Sequence, residues 1–252
     1  MSTIGSFTSV TLRSRLLRQS TAASYLQSVR HLGLSEVPME RLSLGLLWEA
    51  LETVPNRNTR RKHVIALRSI FRAEPWIKEL RIPKSTARVY DLPDEDSIRF
   101  ALMLSPYELQ GLLMMYGGLR VAEACAVSPK ALSGNVLNVH KQMDESGRIL
   151  TSKTVGDVVL PSWLCERVQG MKPFTSTPGA VRESMRRNGA KVGIVLGPHM
   201  LRHRYATEMV SRRVNPEIAR QQLRHSDLKT TLGYYAQVSK DDIDGVVKDL
   251  FG

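Results

Sequence analysis

Hydrophobic residues recur at helical spacing along almost all of this 252-residue chain, and the period changes only once, between Val136 and Leu160. There the short β-branched runs Val136 to Val139, Arg148 to Ser152 and Asp157 to Leu160 are separated by the polar breaks DESG and TVG, as a small antiparallel sheet requires. The pattern therefore predicts a mainly α fold with one small antiparallel β-sheet. Hydrophobic residues make up 42% of the chain, enough for a packed core and too many for a disordered one. The longest apolar run, Leu109 to Leu119, is broken by Gln, Gly and Tyr and falls short of the roughly 20 residues a membrane span needs.

The helical period is itself interrupted at Arg81 to Asp94, RIPKSTARVYDLPD, where two prolines and several cations replace it. This stretch predicts three parts: a helical domain over 1–80, a basic linker over 81–93 and a second domain over 94–252. In the first, helices are expected near Thr21 to Leu32, stopped by Gly33, near Leu44 to Val54, and from about Thr59 to Arg72. The third carries Val64, Leu67, Ile70 and Phe71 on one stripe. Beside it, at 100° per residue, Arg57, Arg61, Arg68 and Arg72 fall within an arc of about 60°. In the second domain, helices are expected at Asp94 to Leu104, Pro106 to Tyr116, from Arg120, Trp163 to Gln169, Val181 to Asn188, His199 to Ser211, Pro216 to Leu223 and Thr230 to Val238. A last amphipathic stretch spaces Ile243, Val246, Val247, Leu250 and Phe251.

Charge says what such a fold meets. Residues 1–93 hold 15 Lys plus Arg against 7 Asp plus Glu, so they carry +8 of the formal +12. A surplus of this size draws a protein to polyanions, and counterion release makes nucleic acid the commonest of these. The first twenty residues carry Arg13, Arg15 and Arg18 without an apolar core of a secretory signal, and there are only two cysteines, Cys125 and Cys165. A reducing cytoplasmic setting is the expectation.

Four local patterns carry chemistry. In GGLRVAEACAV the glycine pair permits a sharp turn, Arg120 starts the next helix and Glu123 stands one turn on. In HMLRHRYATEMV, His199, Arg202 and His203 share one helical turn. Two histidines at i, i+4 suit zinc, but Met200 stands where a metalloprotease has its Glu base, so no metal site is expected. SKTVGDVVLP places Lys153 where one strand is expected to turn toward the next. LRHSDLKTTLGYYAQV holds His225 and, within ten residues, Tyr234 and Tyr235.

Together these are the groups that phosphodiester transfer needs. Two guanidiniums can neutralise the charge that builds on non-bridging oxygens, through paired and permanently charged hydrogen bonds. A tyrosine can attack phosphorus and conserve the bond as a phosphotyrosine. Its ordinary pKa near 10 calls for a base or a cationic pocket. A lysine can protonate the leaving sugar oxygen.

On these residues the chain resembles the tyrosine recombinases of the phage integrase kind. The resemblance rests on GLRVAE, SKT, HMLRH, LRHSDLKTT and YYAQV in this order, and covers nearly all of 94–252. It implies a catalytic set of Arg120, Lys153, His199, Arg202, His225 and one tyrosine. Spacings of nine and ten residues from the last histidine are both admissible. The ending TTLGYYAQV favours Tyr235, with Tyr234 as the alternative. Arg224 stands where the family commonly has Gly, and Gln237 where it often has His.

The resemblance further implies a C-shaped clamp of a helical core-binding domain and a catalytic domain on double-stranded core (attachment) sites. Arg57, Arg61, Arg68, Arg72, Lys84 and Arg88 are the expected DNA contacts. It implies strand exchange through a Holliday junction by a homo-tetramer assembled on DNA from protomers that can be monomeric in solution. A C-terminal segment over about 241–252 would pass to a neighbour, and DNA-bending factors of host or phage would be further partners. No cofactor, metal or membrane is implied, and the setting is a bacterial cytoplasm or nucleoid. The short N-terminal region leads us to expect a simple recombinase without an arm-binding domain. A cellular dimer-resolving recombinase and a non-catalytic DNA-binding regulator are the rival readings.

Overall fold

Asn56 marks the start of the arginine-rich helix in the computed structural model, which describes residues 2–85, 92–172 and 174–235, with Tyr235 described through its backbone alone. The Asn56 side chain accepts the Thr59 N–H at 3.0 Å, and helix α4 runs from Arg57 to Ile70. Its buried face is His63, Val64, Ala66, Leu67 and Ile70, the spacing expected of an amphipathic helix. At its C-terminal end Arg15 donates to the Ser69 carbonyl at 2.6 Å, placing a cation on the negative end of the helix dipole. Before it come α1 (Ile4–Arg13), α2 (Gln19–His31) and α3 (Leu44–Glu52). These helices share a core of Ile4, Leu12, Val29, Leu47, Leu51, Leu67, Ile70 and Phe71.

α1 has no counterpart in the sequence expectation. Its residues, IGSFTSVTLR, are rich in Gly, Ser and Thr, which are poor helix formers. Burial compensates: Ile4, Thr8 and Leu12 face the core at i, i+4 and i+8, and a reciprocal Thr3–Ser6 capping box closes the N-terminus.

Residues 1–89 and 90–252 form two separate units. The second holds α5 (Glu95–Met103), α6 (Glu108–Gly117), α7 (Val121–Ala124), β1 (Leu132–Ser133), β2 (Val136–Met143), β3 (Ile149–Val159), α8 (Ser162–Gln169), α9 (Pro178–Lys191), α10 (Pro198–Ser211), α11 (Pro216–Leu223) and α12 (Leu228–Tyr235). Leu112 to Met115 of α6 are buried on every side, so α6 is the central helix of this core. The sheet is antiparallel in the order β1-β2-β3. The protein is thus mainly helical with one small antiparallel sheet. Among the described residues no helix is long and apolar enough to cross a membrane.

The sheet corrects one expectation. The runs 148–152 and 157–160 are not two strands joined by a turn; they are halves of the single strand β3. Val139 pairs with Gly156 and Lys141 with Thr151, so the four residues 152–155 of β3 face His140 alone. Lys153 therefore sits in a mid-strand bulge, a device that re-aims side chains. Arg88, Gln237 and the stretch 241–252 lie outside the described residues.

Candidate active site

The turn after α6 builds the first part of the site. Gly118 has φ 63°, a conformation that favours glycine, and it lets the chain reverse so that Arg120 becomes the N-cap of α7. Glu123, at the third position of that helix, folds back: it accepts the Arg120 backbone N–H at 2.9 Å and the Arg120 Nη1 at 2.9 Å. The pair is no surface pair, because the Glu123 side chain is 1% exposed while Arg120 keeps 38%.

The β3 bulge supplies the second part. Thr154 Oγ1 accepts from Arg120 Nη1 at 2.6 Å, and Ser152 Oγ donates to Glu123 Oε1 at 3.1 Å. Lys153, between them, is exposed. It lines a cleft of about 530 Å³ together with Thr154, Gly156, Arg220, Arg224 and His225.

α10 and α11 bring the remainder. Arg202 is buried and donates Nη1 to the Gly118 carbonyl and Nη2 to the Leu223 carbonyl, tying the turn before Arg120 to the turn before His225. α11 ends at Arg224, whose Nη2 reaches Glu123 Oε2 at 2.6 Å. His225 follows, with Nδ1 2.9 Å from Thr231 Oγ1. The ring of Tyr234 stands edge-on to His203 at 4.9 Å and stacks with His225 at 6.4 Å between centroids. His199 is exposed in the first turn of α10.

The electrostatics follow from this crowding of cations. Burial, then Arg120 and Arg224, lower the Arg202 pKa to about 9, with Glu123 and Tyr234 opposing. It stays charged at neutral pH. Burial, then Arg202, Arg120, Arg224 and Arg220, push His225 down to about 4, so it is neutral there. Burial alone would raise the Glu123 carboxyl, but Arg224, the Arg120 backbone N–H and the Arg120 guanidinium hold it below its ordinary value. Three guanidiniums around one carboxylate leave the site with surplus positive charge, suited to an anion.

Of the residues that the sequence singles out, Arg120, Arg202, His225 and Tyr234 converge here, with Lys153 on the same cleft as His225. The Tyr235 side chain lies outside the described residues. In the first unit, Arg57, Arg72 and Lys84 are exposed, and Arg68 is half-buried. Arg61 donates Nη1 to the Pro83 carbonyl at 2.6 Å, and Arg72 lies beyond the end of α4. Sequence reasoning passed over Ser152, Thr154 and Thr231. Ser152 and Thr154 flank the singled-out lysine, but the six-residue step from His225 to Thr231 follows no simple period. His203, read from sequence only against zinc, faces the tyrosine instead. Among the described residues no cluster of His, Cys, Asp or Glu could hold a metal ion.

The phage integrase family's sequence profile matches residues 86–242. The chain is similar to tyrosine recombinase XerA of Saccharolobus solfataricus, 28% identical over 193 residues that make up 73% of this chain and 65% of that one. A tyrosine recombinase of Pseudothermotoga lettingae is 27% identical over 227 residues, 78% of this chain and 77% of the relative. The chain thus spans slightly under two thirds of the first of these relatives. Its fold is similar to that of the Tn1549 transposon integrase in complex with transposon right end DNA, with TM-score 0.77 at 18% identity over all of both chains. A lambda integrase tetramer bound to a Holliday junction gives TM-score 0.70 at 18% identity, over 96% of this chain and 81% of that one.

Proposed function

The chain belongs to the phage integrase family, and from that premise we propose that it is a site-specific DNA recombinase of the integrase kind that cuts and rejoins strands through a covalent phosphotyrosine. The observation that carries the reading is the convergence of Arg120, Arg202, His225 and Tyr234, from four separate segments, on one cationic site. Arg120 and Arg202 hold the non-bridging oxygens of the scissile phosphate. A tyrosine oxygen bonds to phosphorus as its proton leaves, with neutral His225 placed to help accept it. The P–O5′ bond breaks, and Lys153 protonates the departing oxygen. Attack by a 5′-hydroxyl of another strand reverses the step and releases the tyrosine.

Tyr234 is the nucleophile that we favour, against the YAQV register that points to Tyr235, because its ring lies beside both His225 and His203. Arg57, Arg61, Arg68, Arg72, Lys84 and Arg88 are assigned to backbone phosphates. The lambda integrase tetramer on a Holliday junction supports a tetramer that exchanges strands at double-stranded core sites, and DNA-bending factors and a host-cytoplasm setting are part of the same proposal.

The test is to incubate the protein in EDTA with a pool of random-sequence duplexes, each carrying one nick that lets the cleaved end diffuse away. DNA that stays attached through SDS is then recovered and sequenced. The expected result is a covalent adduct on a restricted set of sequences, abolished by Tyr234→Phe and retained by Tyr235→Phe. The opposite pattern moves the nucleophile to Tyr235, and no adduct from the parent protein overturns the recombinase reading in favour of a DNA-binding regulator.

A further inference from the structure

We infer that Arg224 is a positioning residue, which neutralises the buried Glu123 and so leaves the charge of Arg120 available to the phosphate. The inference rests on the recombinase reading above and concerns a residue outside the catalytic set that the resemblance implies.

Three observations converge on it. Arg224 occupies φ 51° and ψ 46°, a left-handed conformation that opposes a side chain and favours glycine. Its side chain nonetheless turns inward, is 2% exposed, and makes the 2.6 Å contact with Glu123 across 101 residues of sequence. Its stem lies over Gly156 of the bulged strand: a Cβ at Gly156 would stand 3.3 Å from both Cγ and Cδ of Arg224. The residue therefore joins the His225 turn, the Arg120 turn and the strand that carries Lys153.

The carboxylate explains why this matters. Glu123 Oε1 serves Arg120 Nη1, Ser152 and Thr154, while Oε2 serves the Arg120 N–H and Arg224. Without Arg224, the direct ion pair to that buried negative charge would be made by Arg120 alone. A guanidinium compensating a buried carboxylate has less attraction left for a phosphoryl group that is gaining charge. With Arg224 present the carboxylate has its own counter-ion, and Arg120, 38% exposed, keeps its outer side free of that task.

The proposal predicts a change of sign that a purely structural role would not give. On the duplex recovered from the parent's own adduct, single-turnover cleavage by Arg224→Gly should slow about tenfold or more, since a charge-assisted contact is lost. DNA affinity should change little. Arg224→Lys should recover part of the rate. Glu123→Gln should slow the parent yet speed up the Arg224→Gly protein, because there it removes an uncompensated charge. The Arg224→Gly rate should also rise toward acid pH relative to the parent, as Glu123 takes up a proton. Arg224→Gly relieves the left-handed backbone, and if it fails to fold, Arg224→Gln, which keeps a stem over Gly156 but no charge, carries the same comparison with Glu123→Gln. Cleavage by Arg224→Gly within about twofold of the parent, or further slowing when Glu123→Gln is added, overturns the inference. Absence of an adduct from the parent itself overturns the recombinase reading, and the inference with it.

Discussion

Substituting Gly118 tests whether the turn before Arg120 is held by backbone conformation and packing together. Gly118→Ala would place a residue at φ 63°, ψ 23°, which costs an L-residue about 1–2 kcal/mol. The new Cβ would lie 2.6 Å from Tyr205 Cδ1, 2.9 Å from Cε1 and 3.2 Å from Leu223 Cδ2. An aromatic ring and a neighbour on the His225 turn cannot both withdraw freely, and overpacking of this kind costs about 1–3 kcal/mol. The stiffer unfolded chain returns about 0.5 kcal/mol, leaving a net loss of roughly 1.5–4.5 kcal/mol. Gly134 is the internal control: it has φ 58°, but nothing lies within 4 Å of an added Cβ, so Gly134→Ala should cost only about 1 kcal/mol. Urea unfolding of the catalytic unit can be followed in a background where Trp163 is the sole tryptophan. Since Gly118 also supplies the carbonyl that Arg202 holds, covalent adduct formation should fall in Gly118→Ala and persist in Gly134→Ala. Equal destabilisation of the two variants, within about 0.5 kcal/mol, would refute the packing argument.

Other outcomes follow from the same structure. The His225 imidazole, held to about 4 in the free protein, should stay neutral in an NMR titration down to pH 5. Because the folded state then binds fewer protons than the unfolded one, stability should fall as pH drops from about 6.5 toward about 4; a urea midpoint that rises over this window would contradict the assignment. Replacing Arg61 and Arg68 together should weaken DNA binding evenly across sequences and reduce the salt slope by about 1–2, whereas an unchanged slope would return that ridge to a solvated surface. Burial pushes the Cys125 thiol up to about 12, so thiol reagents at pH 8 should modify it only after unfolding; rapid native labelling would show that the core around it opens.

Most helices of the two units were legible because their apolar stripes keep one period and their ends carry ordinary signals, such as Asn56 before α4 in the first and Pro198 opening α10 in the second. α1 was not legible, since its Ser, Thr and Gly residues give no local preference and its helix depends on burying Ile4 and Leu12 against distant residues. Gly156 and Asp157 look like turn residues, but Gly156 is there for room: the Arg224 stem lies where a side chain would be. Local motifs could point to Arg120, Arg202 and His225 one at a time. They could not show that Glu123 links three of those motifs, because the Arg224 contact spans 101 residues and the Ser152 contact 29.

The two arginines placed at the phosphate also hold the site together, and a count of donors shows that the roles are compatible. A guanidinium has five N–H groups. Among the described residues, Arg202 commits one on Nη1 to the Gly118 carbonyl and one on Nη2 to the Leu223 carbonyl. Arg120 directs both of its side-chain bonds, to Glu123 and Thr154, from Nη1 alone. Each therefore retains three N–H groups, enough for paired hydrogen bonds to phosphate oxygens. A lysine has three donors in all and no planar fork, so at position 202 bracing the two turns would leave it one hydrogen, too few for a paired grip on phosphate. The requirement for arginine in HMLRH thus comes from two demands at once: the fold uses two of its hydrogens, and the chemistry needs the others.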